Sequence, residues 1–267
     1  IRIPCSPTLR TNKPKIILQA VTVNSHEEAA MTKEDYGHHI SQQFNAELED
    51  VRSHFLAMGG LVEKQVSDAM HALLDADSAL AVAVQANDHR INAMETRIDE
   101  ELVRILARRQ PAASDLRMII AISKSLTDLE RIGDEAAKIA RYAQALCEEG
   151  ESPRGYMETR HIGNQVRLMI HDTLDAFARL DVEQAFKVMQ ADSEIDLEYK
   201  TATRALMTYM MEDSRYISRV LNVMWVLRCL ERIGDHSRNI SEQLIYLVKG
   251  ADVRHVSYDI IDKKLHG

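Results

Sequence analysis

The hexapeptide Leu-Glu-Arg-Ile-Gly-Asp occurs twice in this chain, at residues 129–134 and 230–235, so that equivalent positions are 101 residues apart. Self-similarity at a fixed, long spacing indicates duplication of a structural unit. Each copy contains a Glu and an Asp four residues apart, and side chains at this spacing lie on the same face of a helix. The sequence therefore predicts two similar folding units, each with a pair of carboxylates that repel one another.

The composition and the spacing of apolar residues favour helices. The 267 residues include only 10 Gly and 5 Pro, and from residue 36 onward apolar side chains recur at steps of three and four. The pattern runs through three helices, stops near Pro153, and begins again with helices near residues 156–180, 182–211 and 214–249. We predict an all-α fold that is a tandem repeat of two three-helix bundles. The first bundle occupies residues 35–149, the second occupies 156–250, and a C-terminal tail follows at 251–267.

Charge and cysteine content disfavour several functions. A net charge of −8 argues against binding to nucleic acid, which normally requires a basic surface. No apolar run approaches the roughly 20 residues that a membrane span needs. The 3 cysteines are too few and too scattered for a disulfide framework. We expect a cytoplasmic protein, in which residues 1–30 are a leader or extension without fixed structure.

Further acidic residues lie on the helix that precedes each hexapeptide. They are Asp88, Glu95 and Asp99 in the first repeat, and Asp192, Asp196 and Glu198 in the second. Carboxylate oxygens are hard ligands that suit Mg²⁺, Mn²⁺, Ca²⁺ or iron, and a shared cation relieves their mutual repulsion. The alternative is that these acids are solvated or paired with nearby cations. Those cations are Arg131, Lys138, Arg232 and Arg238.

Together with residues 109–117 and 206–213, the two hexapeptides make the chain resemble the PhoU family from about residue 36 to the C-terminus. The resemblance implies tandem three-helix bundles that bind metal ions through Glu/Asp-x-x-x-Asp motifs, with iron, zinc, manganese or magnesium as the metal. It implies these ligands: Glu130, Asp134, Glu231, Asp235, Glu95, Asp99, Asp192 and Asp196. The repeats are not identical, since Asn92 stands where the second repeat has Asp196, and Tyr199 falls near the place of Glu95.

The same resemblance implies a negative regulator of the phosphate-starvation response that also modulates high-affinity phosphate uptake and is not an enzyme. The expected partners are the phosphate-sensing histidine kinase and the ATPase subunit of the phosphate ABC transporter. We therefore expect recruitment to the inner membrane, and we also expect a homodimer. The sequence lacks the familiar nucleotide-binding, acyl-transfer and zinc-protease motifs.

Two alternative functions stay open. A di-iron carboxylate enzyme requires Glu-x-x-His on two facing helices, and the chain has a single instance, at Glu158 and His161. A metal-free helical adaptor would use its repeated acids to bind basic partners.

Overall fold

The computed structural model describes residues 33–149 and 156–266, which contain helices and turns but no strand. The helices are α1 (Lys33–Leu74), α2 (Ser78–Arg108), α3 (Ala113–Glu148), α4 (Tyr156–Arg179), α5 (Val182–Glu212), α6 (Ile217–Lys249) and α7 (Tyr258–His266). The predicted all-α fold with two three-helix bundles is confirmed. The extension predicted at residues 1–30 lies outside the described residues. Within the described ranges, no helix combines the length and apolar character needed to cross a membrane.

The turn between the first two helices of each repeat shows the duplication directly. Ala76 and Leu180 occupy equivalent positions, and both have a positive φ, of 53° and 55°. The next residue, Asp77 or Asp181, accepts a hydrogen bond from the backbone N–H three residues further on. Such a cap typically contributes about 1 kcal/mol. The same turn with an aspartate N-cap therefore begins the second helix of both repeats.

The two repeats pack together through α3 and α6, which lie antiparallel along their lengths. Near one end, Arg117 of α3 donates a hydrogen bond to the carbonyl oxygen of Leu247 in α6, at 3.4 Å. Further along, Asp128 of α3 lies 2.8 Å from His236 of α6. The two hexapeptides cross near the centre of this interface. Their apolar residues are fully buried there: Leu129, Ile132, Leu230 and Ile233.

A second antiparallel contact joins α1 and α4. The rings of Phe55 and Phe177 are fully buried, and their centroids are 4.6 Å apart. Further along, Glu63 lies 3.1 Å from His171. The contacts of α1 with α4 and of α3 with α6 relate the two repeats by a local two-fold axis. The remaining long helices lie outside these contacts, with α2 packed on α3 and α5 packed on α4 and α6.

Two adjacent glycines in α1 have different surroundings. A Cβ added at Gly59 would lie 2.4 Å from Cδ2 of Leu174 in α4, whereas a Cβ added at Gly60 would meet no atom within 4 Å. We expect Gly59→Ala to lower the free energy of unfolding by about 1–2 kcal/mol, because Leu174 must move in a packed interior.

Gly60→Ala is the matched control for this prediction. It should raise the free energy of unfolding by about 0.5–1 kcal/mol, because alanine loses less backbone entropy in a helix. Urea unfolding followed by circular dichroism measures both effects. Equal effects of the two substitutions would show that α1 and α4 do not approach closely at Gly59.

The residues after α6 fold back against α5. Gly250 ends α6 in the left-handed conformation, with φ of 67°. Tyr258 at the start of α7 donates a hydrogen bond to the carbonyl oxygen of Met189 at 2.6 Å, and its ring meets the Phe186 ring edge-on. Ile261 is fully buried. The segment that the sequence predicts only as a tail therefore contains a helix that packs on the second repeat.

Candidate metal-binding site

The glycine of each hexapeptide faces the outer helix of its own repeat. A Cβ added at Gly133 would lie 3.1 Å from Cδ1 of Ile91 in α2, and a Cβ added at Gly234 would lie 3.1 Å from Oδ1 of Asp192 in α5. The absence of a side chain lets the two helices approach at this level. The acidic residues of the hexapeptides therefore lie beside the acidic residues of α2 and α5.

The first cluster consists of Asp88 and Glu95 in α2 with Glu130 and Asp134 in α3. Burial raises the pKa of Glu130, and the negative charges of Asp134, Glu95 and Asp88 raise it further, against a lowering by Arg131. Burial also raises the pKa of Glu95, and the charge of Asp134 adds to this effect. Raised carboxyl pKa values mean that the environment stabilises these charges less well than water does. The four acids of the first cluster have Arg131 as the basic side chain paired with them.

Two further side chains contact the first cluster. The Gln65 side-chain amide donates hydrogen bonds to Asp88 at 3.3 Å and to the carbonyl oxygen of Gly133 at 3.2 Å. Arg131 lies 3.5 Å from Glu130 and 3.6 Å from Asp134. Both Arg131 distances exceed those of good hydrogen bonds, and the Arg131 side chain is 52% exposed, so solvent screens its charge.

The second cluster consists of Asp192 and Asp196 in α5 with Glu231 and Asp235 in α6. Asp192 is 3% exposed. Burial raises the pKa of Asp192 to about 6, and the charges of Asp235 and Asp196 add to this effect, against the opposing charge of Arg238. Burial likewise raises the pKa of Glu231. This cluster is the more buried of the two at its centre.

Basic side chains contact every acid of the second cluster. Arg238 lies 2.8 Å from Asp192 and 3.6 Å from Asp235. Arg228 lies 2.7 Å from Glu231, and Lys200 lies 3.6 Å from Asp196. The pairing with cations that the sequence raises as an alternative is therefore present here.

The four basic residues considered from the sequence do not all serve these clusters. Arg131 contacts the first cluster and Arg238 contacts the second, whereas Arg232 and Lys138 both pair with Glu135, at 3.1 Å and 2.9 Å. Glu135 is 1% exposed, and it lies in the interface between α3 and α6. Arg228 and Lys200 are not among the basic residues predicted from the sequence to pair with these acids. A position-by-position comparison of the two repeats could have identified Arg228, because the first repeat has the uncharged Thr127 at the equivalent position.

The register between α2 and α5 fixes which predicted ligands are equivalent. Ile91 and Ile195 face the two hexapeptide glycines, which makes Asp88 the counterpart of Asp192. In this register the counterpart of Asp99 is Thr203, which is not acidic. Asp99 lies one helical turn beyond Glu95, and its charge raises the pKa of Glu95.

The donor atoms suit hard metal ions, but the side chains do not form a finished metal site. In residues 33–149 and 156–266, no three His, Cys, Asp or Glu side chains converge on one point. Carboxylate oxygens are the preferred ligands of Mg²⁺ and Mn²⁺ and also bind iron and zinc. The first cluster fits such an ion by donor chemistry and by its excess of negative charge. In the second cluster, arginine side chains already contact the acids that a metal ion would need.

A duplicated three-helix bundle with one acidic cluster in each copy defines the class of this protein. The PhoU domain matches the chain twice, at residues 55–143 and at residues 159–244, once in each repeat. The two matches together cover more than half of the chain. The chain belongs to the PhoU family.

Relatives and solved structures agree with this assignment. The chain is 70% identical over 226 residues to the phosphate-specific transport system accessory protein PhoU homolog of Pseudomonas aeruginosa, which covers 85% of this chain and 93% of that protein. The crystal structure of PhoU from Pseudomonas aeruginosa matches with a TM-score of 0.77 and 70% identity, over 78% of this chain and 100% of that chain. The crystal structure of the phosphate transport system regulatory protein PhoU from Streptococcus pneumoniae matches with a TM-score of 0.73 and 32% identity, over 79% and 99% of the two chains. The family resemblance inferred from the hexapeptides is confirmed.

Proposed function

We propose that this chain is a non-catalytic negative regulator of the phosphate-starvation response and a modulator of high-affinity phosphate uptake. The similarity to the Pseudomonas aeruginosa accessory protein over most of both chains carries this proposal. The proposed partners are the phosphate-sensing histidine kinase and the ATPase subunit of the phosphate ABC transporter. The protein would act in the cytoplasm, as a homodimer recruited peripherally to the inner membrane by these partners.

Exposed apolar side chains support action through protein contacts. Ile217, Leu221 and Trp225 follow one another at four-residue steps in α6, so they lie on one face of that helix. Their exposed fractions are 41%, 41% and 53%. Met207 and Met211, on the preceding helix α5, are also exposed. Exposed apolar surfaces, and tryptophan in particular, are typical of sites that bind another protein.

Metal binding by the acidic clusters is part of the proposal. The excess negative charge of the first cluster supports it, and magnesium, manganese, iron and zinc all match the donor chemistry. A metal ion there would hold α2 against α3 by bridging carboxylates from both helices. In that way it would fix the shape of the surface that the partners contact.

The di-iron enzyme is less well supported. His161, the histidine of the single Glu-x-x-His motif, has a side chain that is 65% exposed and lies 3.2 Å from Glu198. A di-iron site needs such a histidine inside a bundle with three more acidic ligands. The metal-free adaptor has one observation in its favour, which is the pairing of the second cluster with arginine.

A reporter strain grown in phosphate-rich medium tests the proposal. We expect the quadruple substitution of Glu130, Asp134, Glu231 and Asp235 by alanine to raise expression of a phosphate-starvation promoter about tenfold or more, because loss of a bridging cation frees the outer helices. Reporter activity, together with the metal content of the purified protein, measures the effect.

The matched control replaces Glu100 and Glu194, two exposed acids on α2 and α5, by alanine. This variant should keep the promoter repressed, because it removes acids from the same helices but not from the clusters. If the quadruple variant is folded and the promoter also stays repressed, metal ligation does not act as the switch. If deletion of the whole chain leaves the promoter repressed, the regulatory role itself is wrong.

A further inference from the structure

The two acidic clusters differ in the cations that the chain itself supplies. Arg228 and Arg238 of the second repeat have Thr127 and Ala137 as their counterparts in the first repeat, at the spacing of 101 residues that separates the hexapeptides. The hexapeptide acids are the same in both repeats, but these neighbouring positions on the same helix are basic in the second repeat alone. This difference assigns each cluster a different means of neutralising its charge.

The contacts in the second cluster show that these arginines act as counter-ions. The guanidinium of Arg238 lies 2.8 Å from the buried carboxylate of Asp192, and that of Arg228 lies 2.7 Å from Glu231. Both distances are those of charge-assisted hydrogen bonds. The Arg238 side chain is 34% exposed and Asp192 is buried, whereas the Arg228 side chain is 48% exposed, so the Arg238 pair is the better shielded of the two. Removing one partner of a buried charge pair is strongly destabilising. The second cluster therefore already contains positive charge between its acids.

The basic contacts of the first cluster are longer than these two. Its basic neighbour Arg131 is half exposed, and its distances to Glu130 and Asp134 are 3.5 Å and 3.6 Å. The corresponding arginine of the second repeat, Arg232, turns instead to Glu135 in the interface between the repeats. The hexapeptide arginine therefore compensates the first cluster weakly and does not contribute to the second.

Besides Asp192 and Asp235, Arg238 has a third acidic neighbour, Glu242, one helical turn further along α6. Its Nε atom is buried without a hydrogen-bond partner and lies 3.7 Å from Glu242. Beyond it, a cavity of about 540 Å³ is bounded by Arg238, Glu242 and the segment from Val253 to Tyr258. A small movement toward Glu242 gives Nε a partner, and the cavity provides the space. In the second cluster, Oε2 of Glu231 is buried and also has no partner.

We propose that the two clusters are unequal cation sites: the first takes a metal ion from solution, and the second is neutralised by Arg228 and Arg238 of the same chain. A metal ion enters the second cluster only when Arg238 moves away from Asp192 toward Glu242. This inference rests on the proposed metal binding. It assigns to Arg228 and Arg238 the role of setting the order in which the clusters fill.

Titration of the full chain with Mn²⁺, followed by calorimetry, tests this order. We expect the tightest binding step to disappear in the Glu130→Gln/Asp134→Asn variant and to persist in the Glu231→Gln/Asp235→Asn variant. In the Arg228→Gln/Arg238→Gln variant, affinity of the second cluster should rise on the order of tenfold or more, because two positive charges leave its acids. Thr127→Arg, which adds a cation at an exposed position beside Glu130, should weaken the first step by a similar factor.

The control variant Arg160→Gln/Arg167→Gln removes the same charge from exposed positions of α4 and should leave both binding steps within about twofold of the unchanged protein. The inference is overturned if the two clusters of the unchanged protein bind Mn²⁺ with equal affinity. It is also overturned if the Arg228/Arg238 variant does not strengthen binding to the second cluster.

Thermal unfolding in chelator tests the counter-ion role without any metal. The Glu130→Gln/Asp134→Asn variant should melt higher than the unchanged protein, because it removes repulsion. The Glu231→Gln/Asp235→Asn variant should melt lower, because it removes the carboxylate that pairs with Arg228 and one of the carboxylates beside Arg238. If the two variants shift the melting temperature in opposite directions but the unchanged protein binds no Mn²⁺, the proposed metal function is wrong. The counter-ion role of the arginines would still be supported in that case. Shifts in the same direction would refute the counter-ion role.

Discussion

Replacing Phe177 with alanine is expected to lower the free energy of unfolding by about 4 kcal/mol. The Phe177 ring is fully buried and packs against Phe55 of α1 with a centroid separation of 4.6 Å. Truncation removes this aromatic contact and leaves a cavity where α1 and α4 join the two repeats, at a point where the closely packed helices cannot fully collapse. Equilibrium unfolding in urea, monitored by circular dichroism, measures the loss.

Trp225→Ala is the control for this prediction, because it removes a larger aromatic ring from a position that is 53% exposed. We expect a cost of less than about 1 kcal/mol, since an exposed side chain leaves no cavity. If Phe177→Ala costs no more than Trp225→Ala, the antiparallel contact between α1 and α4 does not hold the repeats together.

The second large effect concerns Asp192 and pH. In metal-free protein, we expect ionisation of Asp192 to lower the free energy of unfolding by about 3 kcal/mol as the pH rises from about 4 to about 7. The folded-state pKa of Asp192 is raised from 3.8 to about 6 by burial. Between these values the folded state holds the proton more strongly than the unfolded chain does. The contribution is therefore fully present below pH 3.8 and is lost as the pH passes through 6.

The measurement compares the unchanged protein with Asp192→Asn in urea at a series of pH values in the presence of chelator. The difference in stability between the two proteins should change across this interval and become constant above it. Asp196→Asn is the matched control on the same helix, because the Asp196 side chain is 41% exposed and its charge is screened by water. A difference between unchanged protein and Asp192→Asn that is independent of pH would contradict the assignment.

Much of the fold could be predicted because its information is local. Apolar residues at three- and four-residue steps identify the long helices, and the duplicated hexapeptide shows that the second half repeats the first. The short helix α7 escaped prediction because nine residues carry too little periodicity. Its position depends on the contact of Tyr258 with Phe186 in α5, which no local pattern shows.

The positions of the acidic residues in the candidate site could be predicted from the sequence, whereas the pairing of the basic residues with them could be predicted less well. Helical spacing alone places Glu130 beside Asp134 and Glu231 beside Asp235. Whether an arginine turns to its own cluster depends on the packing of the repeats. Arg131 and Arg232 occupy equivalent positions in the sequence, yet Arg232 pairs with Glu135 across the interface and Arg131 stays beside its own acids.

The local two-fold axis between the repeats has a consequence for the history of the chain. Antiparallel pairing of α3 with α6 and of α1 with α4 is the geometry of an isologous dimer, in which each subunit presents the same surface to the other. An ancestor with a single three-helix unit would assemble in this way from two identical copies. Once gene fusion joined the copies, mutations no longer had to appear twice. A fused chain, unlike a dimer of identical copies, can place arginine at one position and alanine at the equivalent position of the other repeat.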